Sequence, residues 1–424
     1  MPDKNRVIIK NVSVCEKGSE HFAVKDILLE FDGQRRLISA IDDKIDVDGV
    51  IVDGYGLTAL PGFIDLWSRM GEPDGSKRET FSTGTNSAIN GGYSRVTVAP
   101  FGTPVTDRPE VLSDRMAKSA RDAKCAVSFI GALSVGCAGK ELCDYHTLSE
   151  CGAVAFSDGM YESLPDSLLR EAMSRIAEVD ALIIATPRLL KCYSGGSVNL
   201  GRVSKLMGYN GIPYSAEVAD VARYLIYAAE TGCRLHLAGI STEQGVEAVY
   251  LAKKHGINVT ASAFPCNFSF NENDILFYGS NAKVWPPLRT ESDVAAVRRA
   301  LIDGTLDCVS SCHIPLTEKE KSNDIELSKF GVIGLQTAFS AAGTYLFPTS
   351  KVDAHKLIEL FSSAPAKILG VRKPEIAPGE ISCFSLVNFD RDFIVSENYL
   401  KSRSSNEIFK GLTLRGEIHR TFID

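Results

Sequence analysis

The sequence predicts an α/β fold, a (β/α)8 barrel carrying a small β module, and three observations lead there. Short apolar β-like runs alternate with helical stretches through the middle of the chain, the pattern of a parallel sheet. Eight such runs occur, the strand number of a closed barrel. Both chain ends are instead β-rich. At 424 residues the chain accommodates one barrel of roughly 250 to 330 residues and a smaller module.

The eight candidate strands are Gly62–Leu66, Arg95–Ala99, Ala126–Gly131, Ala153–Ser157, Ala181–Ala185, Arg234–Leu237, Asn258–Ala261 and Leu306–Ser310. Ser241 with Gln244, and Thr290 with Asp293, read as capping boxes ahead of apolar helical runs. Ser215 reads as the cap of a long helix through Ala229, with Glu217 in its first turn. The N-terminal β runs are Val7–Val14, Val24–Phe31, Leu37–Ile41 and Val50–Val52, punctuated by the turns Asp32-Gly33 and Asp53-Gly54. At the other end Ile381–Phe389, Phe393–Val395 and Leu412–Phe422 have the same texture, and the polar stretch 317–328 reads as a barrel loop.

Charge and composition exclude several function classes. The net charge is −7 with both signs interspersed, which gives no support for a nucleic-acid or anionic-membrane partner. No apolar run reaches the roughly 18 to 20 residues of a membrane span. The 11 cysteines have no framework spacing, and Met1-Pro2-Asp3-Lys4 leads into a β run rather than a secretion signal. Reduced thiols and a cytoplasmic location are therefore expected, and the sequons at Asn11 and Asn267 are chance matches. Gly-rich phosphate loops, Gly-x-Ser-x-Gly elbows and His-Glu-x-x-His helices are all missing.

The most informative segment is Pro61-Gly62-Phe63-Ile64-Asp65-Leu66-Trp67-Ser68-Arg69-Met70-Gly71-Glu72-Pro73. It resembles the metal-binding signature of dihydroorotases, a cyclic amidohydrolase family, which reads Pro-Gly-x-Ile-Asp-x-His-x-His-x-Arg-Glu-Pro. Further blocks resemble the same family in order: Ala153 to Gly159, Gly211-Ile212-Pro213 with Ala216-Glu217, Thr231-Gly232 with His236 and Ser241-Thr242, Lys283 to Arg289, Asp303 to Cys308, and Phe330 to Phe339. The resemblance implies a TIM-type metallo-dependent hydrolase barrel over 61–374. It also implies one β-sandwich module shared by residues 1–60 and 375–424.

The departures fall at strand ends, where this fold keeps its chemistry. Trp67 and Arg69 stand at the two His positions, and neither an indole nor a guanidinium offers a lone pair to a metal. Gly71 stands at the substrate-binding Arg, Thr186 at the strand-five His, Gly239 at the strand-six His and Trp285 at the substrate-contacting Asn. In Cys312-His313-Ile314-Pro315-Leu316, Cys312 replaces the family's Asp and Leu316 its final His. Of two adjacent Asp after strand four only Asp158 matches. Zinc is thus the cofactor of active members, and no cofactor is expected here. Asp158, His236, Cys308, Cys312 and His313 are the weak alternative ligands.

These departures lead the sequence reading to a non-catalytic homologue in pyrimidine biosynthesis. By resemblance it would be a structural or stabilising subunit for the aspartate carbamoyltransferase catalytic chain, itself homo-oligomeric. Two alternatives stay open. One is an active dihydroorotase-like amidohydrolase with a rebuilt metal site, or with Cys312 as nucleophile and His236 or His313 as its base. The other is a pocket-based small-molecule sensor. A surviving acid in the altered pocket would need a counter-charge, so Arg69 is expected to pair with Asp158 while Trp67 fills volume.

Overall fold

The computed structural model describes the chain except for residues 1, 2, 4, 16–20, 71, 73, 74, 160–163, 194, 349 and 350, so the Gly71 position lies outside the described residues. The strands at the N-terminal end are β1 (Arg6–Val14), β2 (Ala23–Phe31), β3 (Arg36–Asp42), β4 (Val50–Asp53) and β5 (Thr58–Pro61). The barrel then begins with β6 (Phe63–Ser68), β7 (Tyr93–Val98), β8 (Ala126–Gly131), β9 (Ala153–Phe156) and β10 (Leu182–Ala185). A two-residue pair, β11 (Val198–Asn199) and β12 (Gly211–Ile212), sits outside it, before β13 (Arg234–Ala238), β14 (Val259–Ala263) and β15 (Cys308–Val309). The chain finishes with β16 (Cys383–Ile394) and β17 (Thr413–Ile423).

All eight runs proposed from sequence are strands, and they pair in parallel in the order β6-β7-β8-β9-β10-β13-β14-β15. The ring closes where Ser68 bridges His313 and the Arg69 N–H donates to the His313 carbonyl at 2.8 Å. Strands buried on both faces read as continuous apolar runs, and every residue of β6 is buried. Ile64, Leu66, Ala99, Ile130, Ala155, Ile184, Ala238 and Cys308 belong to one apolar cluster, distinct from the larger one formed with the helices.

Both chain ends build one seven-stranded sheet, ordered β17-β16-β5-β1-β2-β3 with β4 on β1. The seam is the antiparallel pairing of β5 with β16, Pro61 opposite Phe384. Val12, Ile27, Leu29, Ile38, Phe384 and Leu386 are buried along it. The runs expected at Ile381–Phe389 and Phe393–Val395 are a single strand, whose register shifts between Asn388 and Asp392.

The capping signals are redistributed, and the reason locates a buried network. Thr290 and Asp293 form the expected box on the helix Glu291–Asp303. Thr242, not Ser241, caps the helix Glu243–Lys254, and Ser215 makes no cap on the helix Ser215–Thr231. Ser241 is occupied elsewhere. Its N–H and those of its neighbours converge on Glu217, which accepts from the Ser241 and Thr242 amides at 3.0 Å each and from both hydroxyls. Arg289 completes the web. Only 2 % exposed, it lies 3.7 Å from Glu217 and donates to the Asn199 side chain at 2.9 Å, the Ile212 carbonyl at 3.0 Å and the Ser241 hydroxyl at 3.2 Å.

Removing one partner of a buried ion pair leaves the other uncompensated. Arg289→Met is therefore expected to lower stability by about 3–5 kcal/mol, read from the urea midpoint. A loss below about 1 kcal/mol, the scale of an exposed pair, would contradict this account.

Candidate active site at the barrel mouth

The carboxyl ends of the strands place a defined set of side chains at one end of the barrel. Trp67 comes from β6, and Phe101, Asp158, Thr186, Gly239, Phe264 and Cys312 follow the ends of β7, β9, β10, β13, β14 and β15. Trp67 is 1 % exposed and meets Phe101 edge-on, ring centres 6.1 Å apart. The Arg69 guanidinium lies 5.0 Å from the centre of the same Phe101 ring. Phe101 is held from behind, where its carbonyl accepts from the buried Arg115 at 2.8 Å.

Two glycines make room for these rings. Gly239 has φ +80°, and a Cβ there would fall 2.3 Å from the Phe264 ring. Gly159 has φ +61°, and a Cβ there would fall 2.1 Å from Phe101. The rings fill the volume from which a larger side chain at either position would start.

Asp158 is gathered in by the segment after β8. It accepts from the Leu133 and Ser134 amides at 2.8 and 2.9 Å and from the Ser134 hydroxyl at 2.5 Å. Burial pushes its carboxyl above the usual range, against these bonds and one from Cys137. Instead of the pair expected from sequence, Asp158 is held by Ser134 and the Arg69 guanidinium lies over Phe101. Thr186 donates its hydroxyl to the Gly159 carbonyl at 2.5 Å.

Trp285 is buried in an aromatic stack. Tyr193 lies parallel to it at 6.2 Å, Phe330 edge-on at 5.7 Å, and the Arg188 guanidinium 4.4 Å from its ring centre. Leu316 is buried, its amide donating to Asn406 at 3.1 Å.

The five weak ligand candidates point to separate surroundings. Cys312, at φ +51°, directs its thiol to the Trp285 carbonyl at 3.6 Å. Burial raises that thiol well above its ordinary value, the reverse of an activated nucleophile. His313 turns away, with Nε2 3.3 Å from Glu79 and Nδ1 accepting from the Gly334 amide at 3.3 Å. Its proton is therefore on Nε2. His236 is fully buried, 3.0 Å from each of the Thr260 and Ser262 hydroxyls. Burial and the nearby Lys253 push its imidazole down to about 3. Cys308 is buried in the same apolar cluster as Trp67. Among the described residues no group of three or more His, Cys, Asp or Glu could hold a metal ion.

Sequence reasoning missed Phe101, Phe264, Arg115 and Arg188. Their signal was weak: aromatic residues just past two strands, beside strands that end in glycine. It also passed over Asp65, which is fully buried and accepts from the Ser311 amide at 2.6 Å and hydroxyl at 2.9 Å. Burial pushes this carboxyl up to about 7.

The sequence profile of the Dihydro-orotase-like family matches residues 56–245. A dihydroorotase of Thermoanaerobacter sp. is 36 % identical over 422 residues, 99 % of this chain and 96 % of that protein. A dihydroorotase of Elusimicrobium minutum is 34 % identical over 419 residues, 99 % of this chain and 96 % of that one. The chain belongs to the dihydroorotase-like family. Among solved structures, the L-hydantoinase of Arthrobacter aurescens superposes with a TM-score of 0.86 at 22 % identity, covering 100 % of this chain and 95 % of that one. It shows a common fold. The expectation of a non-enzyme is corrected here. The relatives that match over 99 % of the chain carry the name of an enzyme, dihydroorotase. Departures at a handful of strand-end positions do not outweigh a relationship that runs over 99 % of the chain.

Two outcomes follow. Gly239→Ala combines a disfavoured φ with overpacking, so it should cost about 2–4 kcal/mol. A double-mutant cycle with Phe264→Leu should show that part of this cost is shared. His236 is held neutral in the fold, with its folded value below its unfolded value near 6.5. Its contribution is fully present above about pH 6.5 and falls as pH drops towards 3, by up to about 1.4 kcal/mol per unit. His236→Asn should flatten urea stability over that window, and an unchanged slope would count against the assignment.

Proposed function

We propose that this dihydroorotase-like chain is an active cyclic amidohydrolase of pyrimidine biosynthesis, located in the cytoplasm. The observation that carries the reading is the relationship to dihydroorotases over 99 % of the chain. The donors at the mouth do not fit the family's zinc pair. Trp67 and Arg69 have no lone pair to give, Gly239 has no side chain and Phe264 stands beside it, so we further propose that the family's metal ligands are lost.

Proton transfer is assigned to Asp158. It is a buried carboxyl at the mouth whose value burial raises, whereas Asp65 is engaged by the Ser311 amide and hydroxyl in closing the barrel. Ser134 and the Leu133 amide fix its orientation. The Cys312 thiol is protonated and bonded to a carbonyl, so it is a poorer candidate. Arg69 and Arg188, at opposite sides of the mouth, supply positive charge for an anionic substrate.

The test is ring opening of dihydroorotate and ring closure of carbamoyl aspartate. Asp158→Asn should lower kcat by about 100-fold or more, while Cys312→Ser should stay within a few-fold of the parent. Absence of turnover in both directions, with and without added zinc, would overturn the reading.

We further propose that the chain is a homo-oligomer and associates with the aspartate carbamoyltransferase catalytic chain, a reading that rests on the family resemblance. Sedimentation should then show one larger species when the two are mixed. Independent sedimentation at micromolar concentrations would reject it.

A further inference from the structure

Two buried lysines clasp the segment after β15 against the segment before Arg289. Lys321 donates to the carbonyls of Gly331 at 2.7 Å, Lys283 at 2.9 Å and Lys329 at 3.4 Å. Lys283 reaches back to the carbonyls of Ile325 at 2.7 Å and Glu326 at 3.1 Å and to the Ser197 hydroxyl at 3.2 Å. Every one of these acceptors is neutral. Among the described residues neither ammonium has a carboxylate at ion-pair distance. Glu320, the nearest acid in sequence, is engaged by Arg78 and Lys329.

An ammonium removed from water without a counter-charge is costly. Burial lowers Lys321 to about 7, with the neighbouring Lys283 adding to the effect and Cys266 opposing it. Lys283 is also lowered by burial, against the more distant Glu326 and Asp324.

Lys321 also lines a polar cavity of about 530 Å3, where Lys319 and Lys410 face it together with Asn281, Asn323 and Ser405. Glu318 is the one carboxylate in that lining, and Lys410 additionally pairs with Glu397. Three lysines thus border the space with Glu318 as the one acid of its lining, Lys410 also pairing with Glu397 and the Lys321 ammonium held by three carbonyls, and amide and hydroxyl groups complete the border. Such a basin matches a doubly charged oxyanion, which would supply the missing counter-charge. The volume exceeds that of a lone oxyanion and is in the range of small-molecule sites.

We propose that this cavity, beside the barrel mouth and separate from Asp158, binds the phosphate group of a small phosphorylated molecule. Binding there would compensate Lys321 and tighten the clasp. Through Phe330, which packs edge-on against Trp285, the site would report to the mouth.

The experiment is calorimetric titration of the intact chain with inorganic phosphate and with glycerol phosphate, each against chloride at matched ionic strength. Saturable binding of either anion is expected. Tighter binding of the ester would identify an attached group, and tighter binding of the free ion would identify phosphate itself. The exposed-lysine variant Lys319→Met/Lys410→Met, checked for folding by circular dichroism, should bind at least about tenfold more weakly. No saturation with either anion, equal heats with chloride, or unchanged affinity in the folded double variant would overturn the proposal.

Discussion

The guanidinium of Arg289 holds one side of this molecule together. A charge that is 2 % exposed persists only if its surroundings satisfy it, and those surroundings come from distant parts of the chain. Asn199 and Ile212 belong to the β11–β12 pair, Ser241 to the turn after β13, and Glu217 to the helix that leads into β13. Asn199 in turn donates to Glu272 at 2.7 Å. Each partner is itself bonded to another, so none can move without leaving a buried polar group exposed to the apolar core. The segment Lys283–Leu288, immediately before Arg289, inherits this rigidity. That is why Trp285 can be buried among Tyr193, Arg188 and Phe330.

The opposite side of the mouth is held by different means. Asp65 and Ser311, with the Ser68–His313 bridge, sew the first strand to the last. His313 is then pinned by Glu79, whose carboxyl also accepts from Ser402 and the Arg403 amide near the C-terminal end of the chain. Burial alone would raise Glu79, yet bonds from His313, Ser402 and Thr83 hold it below the usual carboxylate range. Barrel closure and anchoring of the C-terminal segment therefore share one buried carboxylate. With both flanks fixed by polar networks, the space between them is filled by Trp67, Phe101 and Phe264, the Phe101 ring lying against Gly159 and the Phe264 ring against Gly239.

Most of the fold was legible because it rests on local patterns. Continuous apolar runs spaced by helices marked all eight barrel strands; that the two β-rich ends join followed in part from the family resemblance, which implied a sandwich module where the structure has one seven-stranded sheet. The failures share a cause. Ser241 has the sequence of a cap but is drawn to Glu217, a partner 24 residues away. Arg69 and Asp158 look like complementary charges but each finds a nearer partner, a ring and a hydroxyl. Distances of this kind are set by tertiary packing, which spacing along the chain does not encode. Phe101 and Phe264 were invisible for the same reason, since Phe264 matters only because Gly239 lies against it.

The site poses a sharper question of physical chemistry than the fold does. A frame can be retained across a whole family while the groups it presents change, because function resides in sites mounted on folds. Here burial acts on each of the presented groups. Burial of Cys312 suppresses its thiolate, and burial of His236 suppresses its imidazolium, so both lose the charged form that chemistry would need. Burial of Asp158 raises its carboxyl, against the bonds from Ser134 and the Leu133 amide. The same desolvation that suppresses the thiolate and the imidazolium also favours the protonated form of Asp158. At the mouth burial raises two carboxyls: Asp65, which is engaged in joining Ser311 to the first strand, and Asp158, on which the proposed proton transfer rests.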